Sequence, residues 1–279
     1  MKNQIYPCLW FDGQAKAAAE FYCCLFNNSK ITVESPMVVN FELDGRKFMG
    51  LNGGPVFKIN PSISIFVTCT THNETEELSA KLSEGGSFLM PLNKYPWSEK
   101  YAWVKDKFGL TWQLMLGEIP TGTPKIIPSF LFSNEQFGKA KEAIEFYADL
   151  FPDSKVHEMK LYEAGEAQPK GYLKFGHFTL NNELFAAMDG PGNHEFSFNE
   201  AVSIVAACET QTEIDTYWAQ LTEGGEESRC GWLKDRFGVS WQIIPSVIGG
   251  LMTEPEKAQR VMAAVMQMKK LDIEQLINA

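Results

Sequence analysis

The sequence predicts an α+β protein built as two tandem copies of one domain with a C-terminal helix, and three observations carry that prediction. Ala18-Ala19-Glu20-Phe21-Tyr22 with Leu25-Phe26 and Ser29-Lys30 returns as Ala143-Ile144-Glu145-Phe146-Tyr147 with Leu150-Phe151 and Ser154-Lys155, 125 residues further on. Trp103-Val104-Lys105-Asp106-Lys107-Phe108-Gly109 with Trp112-Gln113 returns as Trp232-Leu233-Lys234-Asp235-Arg236-Phe237-Gly238 with Trp241-Gln242, 129 residues further on. Within each half, short apolar runs and amphipathic helices follow the order strand, helix, strands, and then the same order again. Matched blocks in matched order mean a duplication, with a first domain at residues 1–119, a second at 125–248 and a tail at 252–279. Pro120, Gly122, Pro124 and Pro128 make the stiff seam between the halves.

Each element has a local reason. Ile5 to Phe11 is short, aromatic and stopped by Asp12-Gly13, so it reads as a strand. Ala18, Phe21, Tyr22, Leu25 and Phe26 fall at helical spacing and give one apolar stripe. Val38 to Leu43 and Lys47 to Leu51 flank Asp44-Gly45, a pair that tolerates positive φ in a two-residue hairpin turn. Phe175 to Leu180 and Leu184 to Met188 flank Asn181-Asn182, which suits the same turn. The pattern then restarts with a strand at Ile63 to Cys69, a helix at Thr75 to Leu82 ending in Gly85-Gly86, and strands around Trp103 and Trp112. Its counterpart is Val202 to Cys208, Thr212 to Leu221, Gly224-Gly225, Trp232 and Trp241. The halves differ at Ser87 to Tyr101, which carries Tyr95, Pro96 and Trp97 and reads as an aromatic loop serving as a cleft lid or interface. In the tail, Thr253 is the expected cap and Pro255 the first turn, and Val261, Val265, Met268 and Leu271 continue at helical spacing. Met252, Met262, Met266 and Met268 give that helix an adaptable packing face.

Composition narrows the function. Lys plus Arg number 25 against 35 for Asp plus Glu, and a net charge of −10 repels phosphate backbones, which argues against a nucleic-acid partner. There is no apolar run long enough for a membrane span, and Met1-Lys2-Asn3-Gln4 leads straight into a strand, so the expectation is a cytoplasmic protein without membrane contact. The six cysteines include no CxxC spacing, and only Cys69 and Cys208 coincide across the repeat, as buried reduced thiols would.

Paired strand-helix-strand modules, with Phe-Tyr closing the first helix and Lys-Asp-x-Phe-Gly-x-x-Trp-Gln before the last strand, resemble the vicinal oxygen chelate superfamily. That superfamily holds glyoxalase I, the bleomycin and fosfomycin resistance proteins and the extradiol dioxygenases. Leu51-Asn52-Gly53-Gly54-Pro55, Cys230-Gly231-Trp232-Leu233-Lys234-Asp235, Trp241-Gln242 and the Met266 to Leu276 tail make the chain similar to the PhnB-like branch. Members of that branch are often labelled 3-demethylubiquinone-9 3-methyltransferase. The resemblance implies tandem glyoxalase-like domains, each of two βαβββ modules whose curved mixed sheets form a cleft.

It also implies where a metal would sit. The ligand positions of metal-dependent relatives fall here on Ile5 and Ile126, near Ser62 and Ala201, and on Gln113 and Gln242. Isoleucine cannot bind a cation and an amide oxygen is a weak ligand, so the expectation is no cofactor, and a divalent metal only through other ligands. Gly50 to Gly54 leads to Pro55 and another strand, so no helix N-terminus is offered to S-adenosylmethionine and the methyltransferase label finds no support.

Three functions follow. The first is binding of a small aromatic or planar molecule in a cleft, with Gln113, Gln242, Trp97, Tyr101, Asn52 and Asp189 as contacts. The second is an isomerase or lyase, either with non-standard metal ligands or metal-free, using His177 as a base or Cys230, beside Arg229, as a thiol. The third is an assembly protein presenting its methionine-rich tail, and the chain is expected as a monomer or homodimer.

Overall fold

The protein, described by a computed structural model, is placed over residues 4–279. Met1 to Asn3, on which the reading of the N-terminus partly rests, lie outside the described residues. The chain divides into two compact units, one of Pro7–Val202 and one of the N-terminal segment through Tyr6 with Ser203–Ala279.

The larger unit runs through β1 (Ile5–Phe11, from Pro7 on), α1 (Ala15–Leu25), β2 (Lys30–Glu34), β3 (Val38–Leu43) and β4 (Arg46–Asn52). It continues through β5 (Ile63–Cys69), α2 (His72–Ser83), β6 (Ser87–Tyr95), β7 (Ser98–Lys105) and β8 (Thr111–Leu116). It closes with β9 (Ile126–Ser133), a 3₁₀ turn, α3 (Ala140–Leu150), β10 (Lys155–Leu161), β11 (Leu173–Leu180) and β12 (Glu183–Gly190). Here β1 pairs in parallel with β4, which pairs antiparallel with β3, and β3 with β2. The other eight strands form one mixed sheet in the order β10-β11-β12-β9-β5-β8-β7-β6. Its centre is the antiparallel seam of β5 with β9, where Ile65 faces Pro128, so modules from two different repeats share a sheet.

Turn chemistry sets the registers. Asp44 (φ 50°) with Gly45 (φ 79°), and Asn181 (φ 49°) with Asn182 (φ 64°), supply the left-handed pairs that the hairpins require. The residues just after these turns, Arg46 and Glu183, are equivalent in the repeat and meet each other at 3.9 Å. Arg46 donates to Leu184 O at 2.6 Å and lies 4.8 Å over the Phe185 ring. Burial lowers its pKa to about 10 against the opposing pull of Glu183.

The smaller unit contains β13 (Val202–Cys208, from Ser203 on), α4 (Gln211–Thr222), β14 (Glu226–Glu227), β15 (Trp232–Lys234) and β16 (Ser240–Pro245). Three short helices follow, α5 (Ile248–Leu251), α6 (Pro255–Gln267) and α7 (Ile273–Ile277). Cys69 and Cys208, in their separate units, are both buried and free. No helix among the described residues is long and apolar enough to cross a membrane.

Three expectations are corrected. The aromatic loop is a two-stranded hairpin, β6 with β7, turning at Pro96-Trp97. His157, which the sequence alone places in a loop or at a helix start, lies within β10. The tail is not one helix: Thr253 makes no cap, α6 stops at Gln267, and Met268 and Lys269 extend so that their carbonyls accept from the Cys230 and Gly231 amides. Leu271 is nonetheless buried, in a cluster with Leu251, Val261, Val265 and Leu276. Tertiary hydrogen bonds thus override a periodicity that alone favours helix.

The recurrent Lys-Asp-x-Phe-Gly turn has a structural job in both units. Asp106 Oδ1 accepts from the amides of Phe108 (2.8 Å) and Leu110 (3.1 Å), and Oδ2 from Tyr22 Oη and Trp112 Nε1, both at 2.8 Å. Asp235 repeats this with the amides of Phe237 (2.9 Å) and Val239 (3.0 Å) and with Trp241 Nε1 (2.8 Å). Removing the Asp106 carboxylate strands several buried donors, each costing about 1–3 kcal/mol. Asp106→Ala is therefore expected to lower the unfolding free energy in chemical denaturation by about 3 kcal/mol or more, and a loss under about 1 kcal/mol would contradict this role.

Candidate functional site

Strand parity divides the side chains of the eight-stranded sheet. Ile65, Val67, Trp112, Leu114 and Phe130 share the face covered by α2 and α3. The register places Ser64, Phe66, Gln113, Met115, Tyr101 and Trp103 on the opposite face, continuous with Ile127, Ser129, Ala186 and His177. One part of this face is apolar, with Phe66, Ile127 and Ala186 packed against Met115, Phe175 and Leu184.

The other part is polar. Gln113 is fixed at both ends of its amide: Oε1 accepts from Tyr101 Oη at 2.8 Å, and Nε2 donates to Ser64 Oγ at 2.6 Å. Beside it, Trp103 Nε1 and Ser129 Oγ are buried with no hydrogen-bond partner in the protein. Such groups are uncommon in folded proteins. Above them Tyr95, Trp97 and Tyr101 form a ring cluster, Tyr95 stacked on Trp97 at 5.2 Å and Trp97 edge-on to Tyr101 at 5.7 Å. Trp97 remains 56% exposed, so one of the cluster's largest apolar surfaces faces outward.

The smaller unit holds the same skeleton with different furniture. Gln242 Nε2 donates to Ser203 Oγ at 2.9 Å. At the position of Tyr101 stands Cys230, whose Sγ lies 3.6 Å from Met266 Sδ and which packs against the tail cluster. Burial raises the Cys230 thiol pKa, and the smaller pull of Arg229 does not reverse it, so the thiolate is disfavoured.

His177 stands on the Gln113 face, 4.8 Å edge-on from the Phe175 ring, and burial lowers its pKa ahead of the opposing charge of Glu158. Asn52 and Asp189 stand elsewhere. Asn52 Oδ1 accepts from the Ala15 amide at 2.9 Å, and Asp189 Oδ1 from the amides of Gly138 (2.8 Å) and Ala140 (3.2 Å), so each anchors the start of a helix. Ser64, Ser129 and Trp103, none of which the sequence marks as a contact, stand beside Gln113 because the register brings them there.

At several positions implied for a cofactor, protein groups are already in contact with one another. Ile126 is buried and carries no donor atom, and Gln113 Oε1 accepts from Tyr101 Oη, so these two aligned positions are poor ligands for a divalent cation. The space over Gly53 is filled by the Trp10 indole, which a Cβ there would overlap, and Trp10 Nε1 donates to Gly54 O at 2.7 Å. The absence of a side chain at Gly53 thus makes room for the Trp10 indole.

Comparison with known proteins fits this architecture. The family described as 3-demethylubiquinone-9 3-methyltransferase matches residues 3–115 and again 124–244. A putative 3-demethylubiquinone-9 3-methyltransferase, PhnB protein, from Bacillus cereus is 35% identical over 39% of this chain and 96% of its own, with a TM-score of 0.38. Glyoxalase I from Zea mays is 11% identical over 85% of this chain and 89% of its own, with a TM-score of 0.52, a likeness of fold. A glyoxalase-related enzyme from Fulvimarina pelagi is 16% identical over 44% of this chain and 96% of its own, with a TM-score of 0.36. No curated protein matches the sequence.

The His177 ring is expected to titrate below 6.5 when followed by its carbon-bound proton resonances. Because burial depresses the folded-state pKa, its contribution to stability is present above the unfolded value and is lost as pH falls through the folded one. A midpoint above 6.5 would mean that the ring is paired with Glu158 and not desolvated.

Proposed function

We propose, for a chain that belongs to the family described as 3-demethylubiquinone-9 3-methyltransferase, the PhnB-like branch of the vicinal oxygen chelate superfamily, that it binds a small planar or aromatic molecule at the Gln113 face. The observation that carries this reading is the pairing of unspent polar atoms, Trp103 Nε1 and Ser129 Oγ, with the ring cluster of Tyr95, Trp97 and Tyr101. An aromatic ligand stacks on an exposed ring at little entropic cost, because the side chain has few rotamers to lose. Trp103 Nε1 can only donate, so the ligand carries an acceptor, and Ser129 Oγ can take either role. The Gln113 amide, clamped by Tyr101 and Ser64, holds the polar floor rigid. Methyl transfer forms no part of this proposal, since the glycine segment that would cradle S-adenosylmethionine is packed with Trp10.

A second reading, a metal-free isomerase or lyase, draws on one observation. His177 lies on the same face and is kept neutral by burial, the form in which imidazole accepts a proton.

Ligand binding raises the melting temperature in proportion to RT ln(1 + [L]/Kd). A screen of planar aromatic compounds bearing a carbonyl or ring nitrogen is expected to yield thermal stabilisation that Trp97→Ala reduces and Trp103→Phe nearly abolishes. Stabilisation that survives both substitutions, or none across the screen, would count against the proposal. If a hit is also turned over, loss of turnover with retained binding in His177→Gln would favour the second reading.

A further inference from the structure

The larger unit also contains a cavity of about 570 Å³ at the other end of the β6–β7 hairpin from the Pro96-Trp97 turn. Its apolar walls are Trp10, Phe11, Phe57 and Phe108, and Gly85 and Gly86 bring backbone to its edge. Trp10 and Phe57 meet edge-on at 5.1 Å, and the Trp10 indole is held by its bond to Gly54 O, so this wall is rigid. A cavity of this size suits a small organic molecule.

Lys58, Lys105 and Lys107 all line the cavity, against Asp12 and the buried Asp106. The Asp106 carboxylate is already surrounded by four donors. Lys107 sits 4.4 Å from the Phe21 ring centre and 5.3 Å from that of Phe108. The exposed cations therefore outnumber the exposed carboxylate at this mouth, on a chain whose net charge is −10. On such a chain a cationic mouth over aromatic walls selects one ligand class, because the apolar body gains burial while the ammonium groups attract a negative head.

We propose that this cavity is a second binding site, distinct from the Gln113 face, for a small aromatic anion such as an aryl phosphate or aryl carboxylate. The rings of Trp10, Phe57 and Phe108 take the apolar body, and Lys58, Lys105 and Lys107 take the charged head. The attraction between exposed charges weakens with salt.

The test uses 2-naphthyl phosphate as the anionic probe and 2-naphthol as its neutral counterpart, each titrated into the full chain by calorimetry and followed by amide chemical shifts. The expected result is saturable binding of the phosphate at least tenfold tighter than of the naphthol, with the largest shifts at the Gly85, Gly86 and Gly109 amides. K58E with K105E is expected to weaken the phosphate at least tenfold, while K170E, on an exposed loop, changes it less than twofold. Equal affinity for both probes, shifts centred on Ser64 and Gln113, or no saturation in the millimolar range would overturn the proposal. Amide spectra of the double variant that match the parent outside the cavity exclude misfolding as the cause. Because the readout is local to the cavity, its outcome is independent of binding at the Gln113 face.

Discussion

A carboxylate buried in the turn before the last strand of a module is the interaction on which the rest of this architecture depends. Asp106 closes its own turn through two backbone amides, pins the indole of Trp112 and receives the hydroxyl of Tyr22 from α1. One side chain thereby ties helix to sheet and fixes the phase of β8. With Trp112 committed to the helix-bearing face, alternation sends Gln113 to the other, where Tyr101 and Ser64 receive it. Burial raises the Asp106 pKa while the four donors pull it down, so an acid in this position is tolerated only because every donor is aimed at it. The same logic in Asp235, Trp241, Gln242 and Ser203 explains why the motif recurs intact while the segments around it have diverged.

Divergence is concentrated where the skeleton leaves room. In the larger unit the long β6–β7 hairpin brings three aromatic rings to the edge of the sheet, and Tyr101 Oη completes the Gln113 amide. In the smaller unit the equivalent strands are short, Cys230 adopts a left-handed backbone (φ 60°), and the tail supplies the packing instead. Gly231 permits this because a Cβ there would stand 2.7 Å from Ile243 O and 3.2 Å from Leu271. One unit thus carries a cluster of aromatic rings where the other packs its C-terminal segment on Cys230.

Much of this was legible in the chain. Asp44-Gly45 and Asn181-Asn182 announced their hairpins because few other residues accept positive φ, and the stripe through Ala18 and Tyr22 announced a buried helix face. The strands β2, β6 and β10 were not legible, because they are edge strands with mostly exposed side chains and carry no alternating apolar pattern. Candidate residues separated along the same line. Gln113 stood out through the repeat, yet its face depended on a register that only pairing supplies. Ser64 and Ser129 gave no signal, since a serine in an apolar strand is equally a packing residue. Asn52 and Asp189 show the converse, polar residues at strand ends whose backbone partners, the first turns of α1 and α3, are invisible in a linear sequence.

Whether the proposed ligand sits on the face whose phase Asp106 sets is read from the indole N–H resonances in a titration with the most stabilising planar compound. Trp112 Nε1 already donates to Asp106, whereas Trp103 Nε1 has no partner in the protein. A saturable downfield movement of the Trp103 indole proton is expected, with the Trp112 proton unmoved. Movement of Trp112 with Trp103 silent would place the ligand on the helix-bearing side and rule out the Gln113 face.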